Sequence, residues 1–332
     1  MEMRRFGNTG LTVSVLGFGC GAVGGLMVRG SPADQERTVA RALEAGVNYF
    51  DTAVQYGDGE SEKNLGRVLA KLKPADVVVG TKVRLASSDV RRIAESVTRS
   101  LEASLRRLGM ERVDIFHLHN AITADGADES LAAQQVLEDV VPAFERLRAQ
   151  GKTRCIGITA LGDTAALHQV IDARVFQSAQ VSYNMLNPSV GASLPASYPA
   201  QDYGRLLDRT SAAGIGTIGI RVLAGGALSG ATARHPVASP PPEPIGSAHS
   251  YDADLERVRR LMPLVTEGHA ASLAEAAIRY VIANQAMSTI LVGMASIDQF
   301  EEALAAVNKG PLSAAALQRV QTLQQAFAGE PR

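Results

Sequence analysis

Short apolar runs alternate with longer stretches of helical periodicity along most of the chain. The short runs fall at residues 13–19, 47–51, 76–82, 113–119, 154–159, 178–181, 216–220 and 289–292. Their length and their bounding turn residues predict eight strands. Between and after them, helical patterns cover 33–45, 60–71, 88–108, 137–150, 163–172, 203–213, 252–261, 273–282, 297–307 and 314–327. Ser31-Pro32 starts the first of these, since a serine caps orphan N–H groups and proline is pre-set for a first turn. Gly46, Gly109, Gly151 and Gly214 end four of them.

Eight strands alternating with helices predict a parallel sheet, because parallel neighbours need crossover connections. The count of eight favours closure into a (β/α)8 TIM barrel over an open doubly wound sheet. Asn8-Thr9-Gly10 between apolar runs predicts an N-terminal β-hairpin. Long loops follow strands 6 and 7: one over residues 187–201, the other holding the Pro-rich stretch 239–244. No linker interrupts the pattern, so residues 1–332 read as a single barrel domain.

The 332 residues exceed the roughly 250 such a barrel needs. With 33 basic against 34 acidic residues and no basic stripe, nucleic acid is not an expected partner. The opening MEMRRFGNTG lacks the apolar core of a signal peptide, and no run is long enough to span a membrane. Cys20 and Cys155 are the only cysteines, which suits a reducing, cytoplasmic setting.

Catalytic groups of such barrels sit at the C-terminal strand ends. Here the second strand ends at Asp51, the third at Lys82 and the fourth at His119, with Tyr56 in the loop after the second. Adjacent strands lie about 4.8 Å apart, so the four groups should converge. Singly, each reads as structural; an Asp–Lys pair is ordinarily just an ion pair. Together they are complementary. A nearby ammonium is expected to lower the tyrosine pKa, a carboxylate keeps a buried lysine charged, and an imidazole can donate to a carbonyl oxygen. That set suits proton transfer during carbonyl reduction.

With these residues in place the chain resembles the aldo-keto reductase family, through LGFGCG, FDTAVQYGDGESEKNLG, GTKV, DIFHLHN, GKTRCIGIT, QVSYN, IRVLAGGALSG and ILVGMASIDQFEEAL. The resemblance implies an NAD(P)-dependent oxidoreductase. Hydride would pass between a nicotinamide and a small aldehyde, ketone or sugar-type carbonyl or alcohol. Tyr56 would act as general acid/base, Asp51 and Lys82 would tune it, and His119 would orient substrate. Cofactor contacts carry over to Thr159, Gln180, Ile220, Arg221, Leu223, Gly225, Gly293, Gln299 and Glu302. Departures are also plain. Ala160 stands where the family has a carboxamide-binding Asn, Ile220 where it has a stacking aromatic, and Ala303 where it has an adenine-contacting Asn. Near Met294 and Gln299 the usual Lys and Arg for a 2′-phosphate are missing, so the balance leans from NADP(H) toward NAD(H). Trp is absent, which argues against bulky aromatic substrates.

Two further signals were weighed. Gly19–Gly24 matches a dinucleotide-binding fingerprint, but that motif needs a helix opening at its last glycine, and a helix is expected only after Ser31-Pro32. His117 and His119 share a strand face and could hold a metal in a barrel hydrolase, given further ligands; His168, His235, His249 and His269 fall in helices or loops. A cofactor-binding regulatory subunit with slow turnover is the remaining alternative to an enzyme.

Overall fold

The computed structural model describes residues 1–231, 233–240 and 250–330. Eight parallel strands close into a barrel: β1 (Leu16–Gly19), β2 (Tyr49–Asp51), β3 (Val78–Val83), β4 (Val113–Leu118), β5 (Thr153–Ala160), β6 (Ser178–Ser182), β7 (Gly216–Ile220) and β8 (Thr289–Gly293). They follow one another around the cylinder in chain order, and β8 pairs with β1 to seal it. Helices α1 (Pro32–Glu44), α2 (Glu60–Leu72), α3 (Ile93–Leu108), α4 (Val141–Ala149), α5 (Thr164–Asp172), α6 (Leu206–Ala212), α7 (Leu273–Ile282) and α8 (Ile297–Asn308) alternate with the strands. The fold is the (β/α)8 TIM barrel that the alternation predicts. Ser31 Oγ accepts from the Asp34 N–H ahead of α1, with Pro32 in its first turn. None of the described helices is long and apolar enough to cross a membrane.

Several boundaries differ from the pattern, each for a local reason. The run 13–19 is two strands. Residues Thr12–Ser14 pair antiparallel with Met3–Arg5 as the expected hairpin, and the barrel strand starts only at Leu16. Ser14 makes the break by donating its N–H to Asn48 Oδ1 and its hydroxyl to the Leu16 carbonyl. The helix expected from 88 begins as tight turns over Ser87–Arg92. The helix expected from 137 begins as a wide turn over Val136–Val140, just before Pro142 enters α4 without a donor N–H. A four-residue helical turn, Leu26–Arg29, follows Gly25, whose φ of 87° only glycine adopts cheaply. A helix does open behind the glycine cluster, then, but the sheet it serves is a closed barrel. Both long loops are present, after β6 and after β7; residues 241–244 of the Pro-rich stretch and His249 lie outside the described residues.

The core has two parts. One lies between strands and helices. The other fills the lower half of the cylinder with Phe6, Tyr49, Val78, Ile115, Ile218 and Leu291. Phe6, carried by the hairpin, stoppers the N-terminal end: its ring centroid is 6.5 Å from that of Tyr49. A Cβ on Gly216 would sit 2.7 Å from the Phe6 ring, so that strand start stays bare. The two-residue alternation then carries each strand from this apolar floor to a polar mouth. On β3 the inward positions are Val78, Gly80 and Lys82, and on β2 they are Tyr49 and Asp51.

Candidate active site

The mouth holds one bonded network. Lys82 Nζ donates to Asp51 Oδ1 at 2.5 Å, to the Thr52 carbonyl at 2.8 Å and to Tyr56 Oη at 3.3 Å. The Lys82 and Asp51 side chains are buried. Asp51 Oδ2 is also satisfied: Tyr49 Oη donates at 2.8 Å and Gln180 Nε2 at 2.7 Å. Gln180 Oε1 in turn accepts from Thr159 Oγ1 at 3.3 Å. Both oxygens of this buried carboxylate are thus fully partnered, as burial of a polar group requires.

The protons follow from these contacts. Burial pulls the Lys82 ammonium toward neutrality, but the Asp51 charge and Tyr56 outweigh it, and the net direction is up. Lys82 therefore stays charged. Tyr49 is pushed well above the usual phenol range by burial and by Asp51, so it remains a donor. For Tyr56 the expected lowering is corrected. Lys82 does pull its pKa down, but burial pushes harder and the net direction is up. Tyr56 is a protonated phenol at rest. Lys82 acts on it chiefly as negative charge develops, when attraction across a low-dielectric site is strong.

His119 lies one residue past β4, its N–H donated to the Val83 carbonyl at 2.7 Å. Its ring meets that of Tyr56 edge-on, centroids 5.9 Å apart. Burial and the nearby charges of Lys82, Arg84 and Arg221 bring its pKa down to about 3, so the imidazole is neutral. His117 sits deeper and does not join this group. Its Nε2 is 2.8 Å from Ser178 Oγ, and it packs so close to β5 that a Cβ on Gly157 would lie 2.6 Å from its ring. Among the described residues no three or more His, Cys, Asp or Glu side chains gather as metal ligands would.

The expected cofactor residues divide into two sets. Thr159 and Gln180 belong to the bonded network. Ile220 ends β7 and Arg221 follows it at φ 60°, a strained value for a non-glycine. Asn184 Nδ2 holds that turn by donating to the Arg221 carbonyl at 3.0 Å. Leu223 is half-buried in the same loop, and Gly225 has φ 67°. Gly293 ends β8, exposed, while Gln299 and Glu302 are exposed on α8. Gln299 Oε1 accepts from the Ala295 N–H at 2.8 Å, and Met294 is buried. Among the described residues no hydrogen bond joins Gly293, Gln299 or Glu302 to the Asp51 network; Gly293 stands at the end of β8, and the other two lie on the helix that follows it. Ser182 Oγ is one inward position beyond Gln180 on β6, buried and without a partner among the described residues. Two participants escaped the sequence reading. Tyr49 reads in the sequence as an ordinary apolar strand position, although period two puts it on the face of Asp51. Gln55, bonded to His119, sits in a turn with no period to reveal it.

A family profile described as aldo/keto reductase matches residues 15–325. L-galactose dehydrogenase of Arabidopsis thaliana is 31% identical over 314 residues, 93% of this chain and 89% of its own length. D-threo-aldose 1-dehydrogenase of a Pseudomonas species is 33% identical over 189 residues, 49% of this chain and 55% of its own. Among solved structures, the holo form of aldo-keto reductase AKR11C1 from Bacillus halodurans superposes with a TM-score of 0.71 at 26% identity, covering 100% of this chain and 98% of that one. With the profile running through nearly the whole barrel and every element of the mouth, the chain belongs to the aldo/keto reductase family of oxidoreductases.

Proposed function

We propose that this chain, acting as one barrel domain, is an NAD(P)-dependent dehydrogenase or reductase of small aldehydes, ketones and sugar-type alcohols, with Tyr56 as general acid/base. The observation that carries the reading is the run of contacts from Asp51 Oδ1 through Lys82 Nζ to Tyr56 Oη, at 2.5 and 3.3 Å. A structural ion pair does not need a phenol at its end, part-buried at the mouth.

In the reducing direction His119 donates an N–H to the carbonyl oxygen and orients it. Tyr56 then gives its proton to that oxygen, and Lys82 steadies the phenolate left behind. Asp51 keeps Lys82 charged throughout. A bound nicotinamide would supply the hydride, or accept it in oxidation. In oxidation Tyr56 first gives up its proton to solvent, and the phenolate, held by Lys82, then takes the proton of the alcohol. The two sugar dehydrogenases among the relatives support aldose hydroxyls as the substrate class.

The residues fit a nicotinamide dinucleotide with one gap. The free hydroxyl of Ser182 remains for an amide-bearing ring, beside a Gln180 amide already engaged with Asp51 and Tyr49; the Ala160 side chain offers nothing. Gly293 and Gly225 leave backbone open to close approach along the rim. Buried Met294 and exposed Gln299 give no cation for a 2′-phosphate, which supports NAD(H). Both cysteines are free and buried, which suits a cytoplasmic enzyme. A spectrophotometric panel of aldoses and aldehydes with both dinucleotides tests the reading. Turnover with an aldose and NAD+ supports it. Tight dinucleotide binding without turnover on any of them would favour a regulatory subunit.

A further inference from the structure

His119 is neutral, so it has one N–H, and whatever partners Nδ1 decides which nitrogen carries it. That partner is Gln55: His119 Nδ1 lies 3.1 Å from Gln55 Oε1, and both side chains are half-buried. In this orientation Nδ1–H donates and Nε2 is bare. Turning the amide by 180° exchanges its oxygen and nitrogen in place, and the amide then donates to Nδ1. Only the second arrangement leaves Nε2–H free to donate to a reacting oxygen. We infer that Gln55 is a positioning residue for His119, holding the proton on Nε2 by donating its amide N–H to Nδ1.

This rests on the proposed carbonyl chemistry. Glutamine is suited to the task because it can donate; a carboxylate could only accept and would draw the proton to Nδ1. The charged and titratable groups around the imidazole are Lys82 and Arg84 on the β3 side, Arg221 after β7, Tyr56 after β2 and, deeper on β4, the neutral His117. All three cations oppose imidazolium, so a neutral tautomer is the state to be controlled. Gln55 itself neither donates to nor accepts from the substrate in this scheme.

The test is 15N NMR of histidine-labelled protein, with and without NADH, on wild type, Gln55→Glu and Gln55→Leu. Wild type with NADH is expected to show an unprotonated Nδ1 and a protonated Nε2 at His119. Gln55→Glu should move the proton onto Nδ1. A wild-type Nδ1–H tautomer with NADH bound, or an Nε2–H tautomer that persists in Gln55→Glu, overturns the assignment. In turnover, Gln55→Glu should gain a new limb, falling roughly tenfold as its imidazolium deprotonates, while Gln55→Leu should fall about as far in kcat with no added pH dependence. Equal, pH-independent losses in both variants would mean Gln55 only packs. If wild type turns over no carbonyl, the function reading fails, while the spectra still decide the tautomer.

Discussion

Gln180 Nε2 donates to Asp51 Oδ2 across 2.7 Å, so a side chain expected to face a dinucleotide is also a clamp on the carboxylate that holds Lys82. The two halves of the site share one amide. A ligand that draws on Gln180 therefore acts at once on the charge that governs Tyr56.

Replacing Tyr56 with Phe removes the proton donor and leaves the ring. Turnover should fall by about 10²–10⁴, the usual contribution of a positioned general acid, while dinucleotide affinity stays within about twofold. Steady-state kinetics together with fluorescence titration of NADH measure both. Retained turnover would exclude Tyr56 from the role.

Lys82 and Asp51 form a fully desolvated pair, and breaking such a pair from one side is costlier than replacing both partners. Lys82→Met or Asp51→Leu alone should cost about 3–5 kcal/mol. The double variant should recover more than half of the summed loss. Urea unfolding of the four proteins closes the cycle, and strictly additive losses would contradict the pairing.

Tyr49→Phe deletes one donor to Asp51 Oδ2 and the acceptor that the phenol offers Gln180. A hydrogen bond to a charged group predicts a loss of about 1.5–3 kcal/mol. Gly80→Ala should be harmful through the same atom, because its new Cβ would lie 2.9 Å from Tyr49 Oη. Thermal melts of both variants check this. An unchanged Tyr49→Phe would mean the bond adds no net stability.

His119 titrates near 3 in the fold against about 6.5 in the unfolded chain. Between those values the unfolded state binds the proton and the folded state does not. Its contribution is thus fully present above pH 6.5 and is lost as pH falls toward 3, at roughly 1.4 kcal/mol per pH unit. His119→Gln should flatten that part of the stability curve. Denaturant midpoints from pH 7 to pH 4 would show parallel curves instead if His119 were charged in the fold.

Much of this was legible in the chain because period two is strict. Asp51 and Lys82 read as strand-end residues and Gln180 follows only from the family resemblance, and the barrel places all three in one network. What escaped was non-periodic or depended on depth. Tyr49 obeys the alternation yet looks like core until its hydroxyl is seen to meet Asp51. Gln55 lies in a turn. Leu26–Arg29 is too short for a helical pattern to register. The direction of the Tyr56 shift depended on burial outweighing Lys82, a comparison of magnitudes that spacing does not contain.

The Phe6 stopper leaves the cylinder with a single doorway. Of two molecules that react at this mouth, one lying beneath the other has to arrive first and depart last. Initial-rate patterns should accordingly be those of a compulsory sequence, and turnover can be limited by the exit of the first arrival rather than by bond-making.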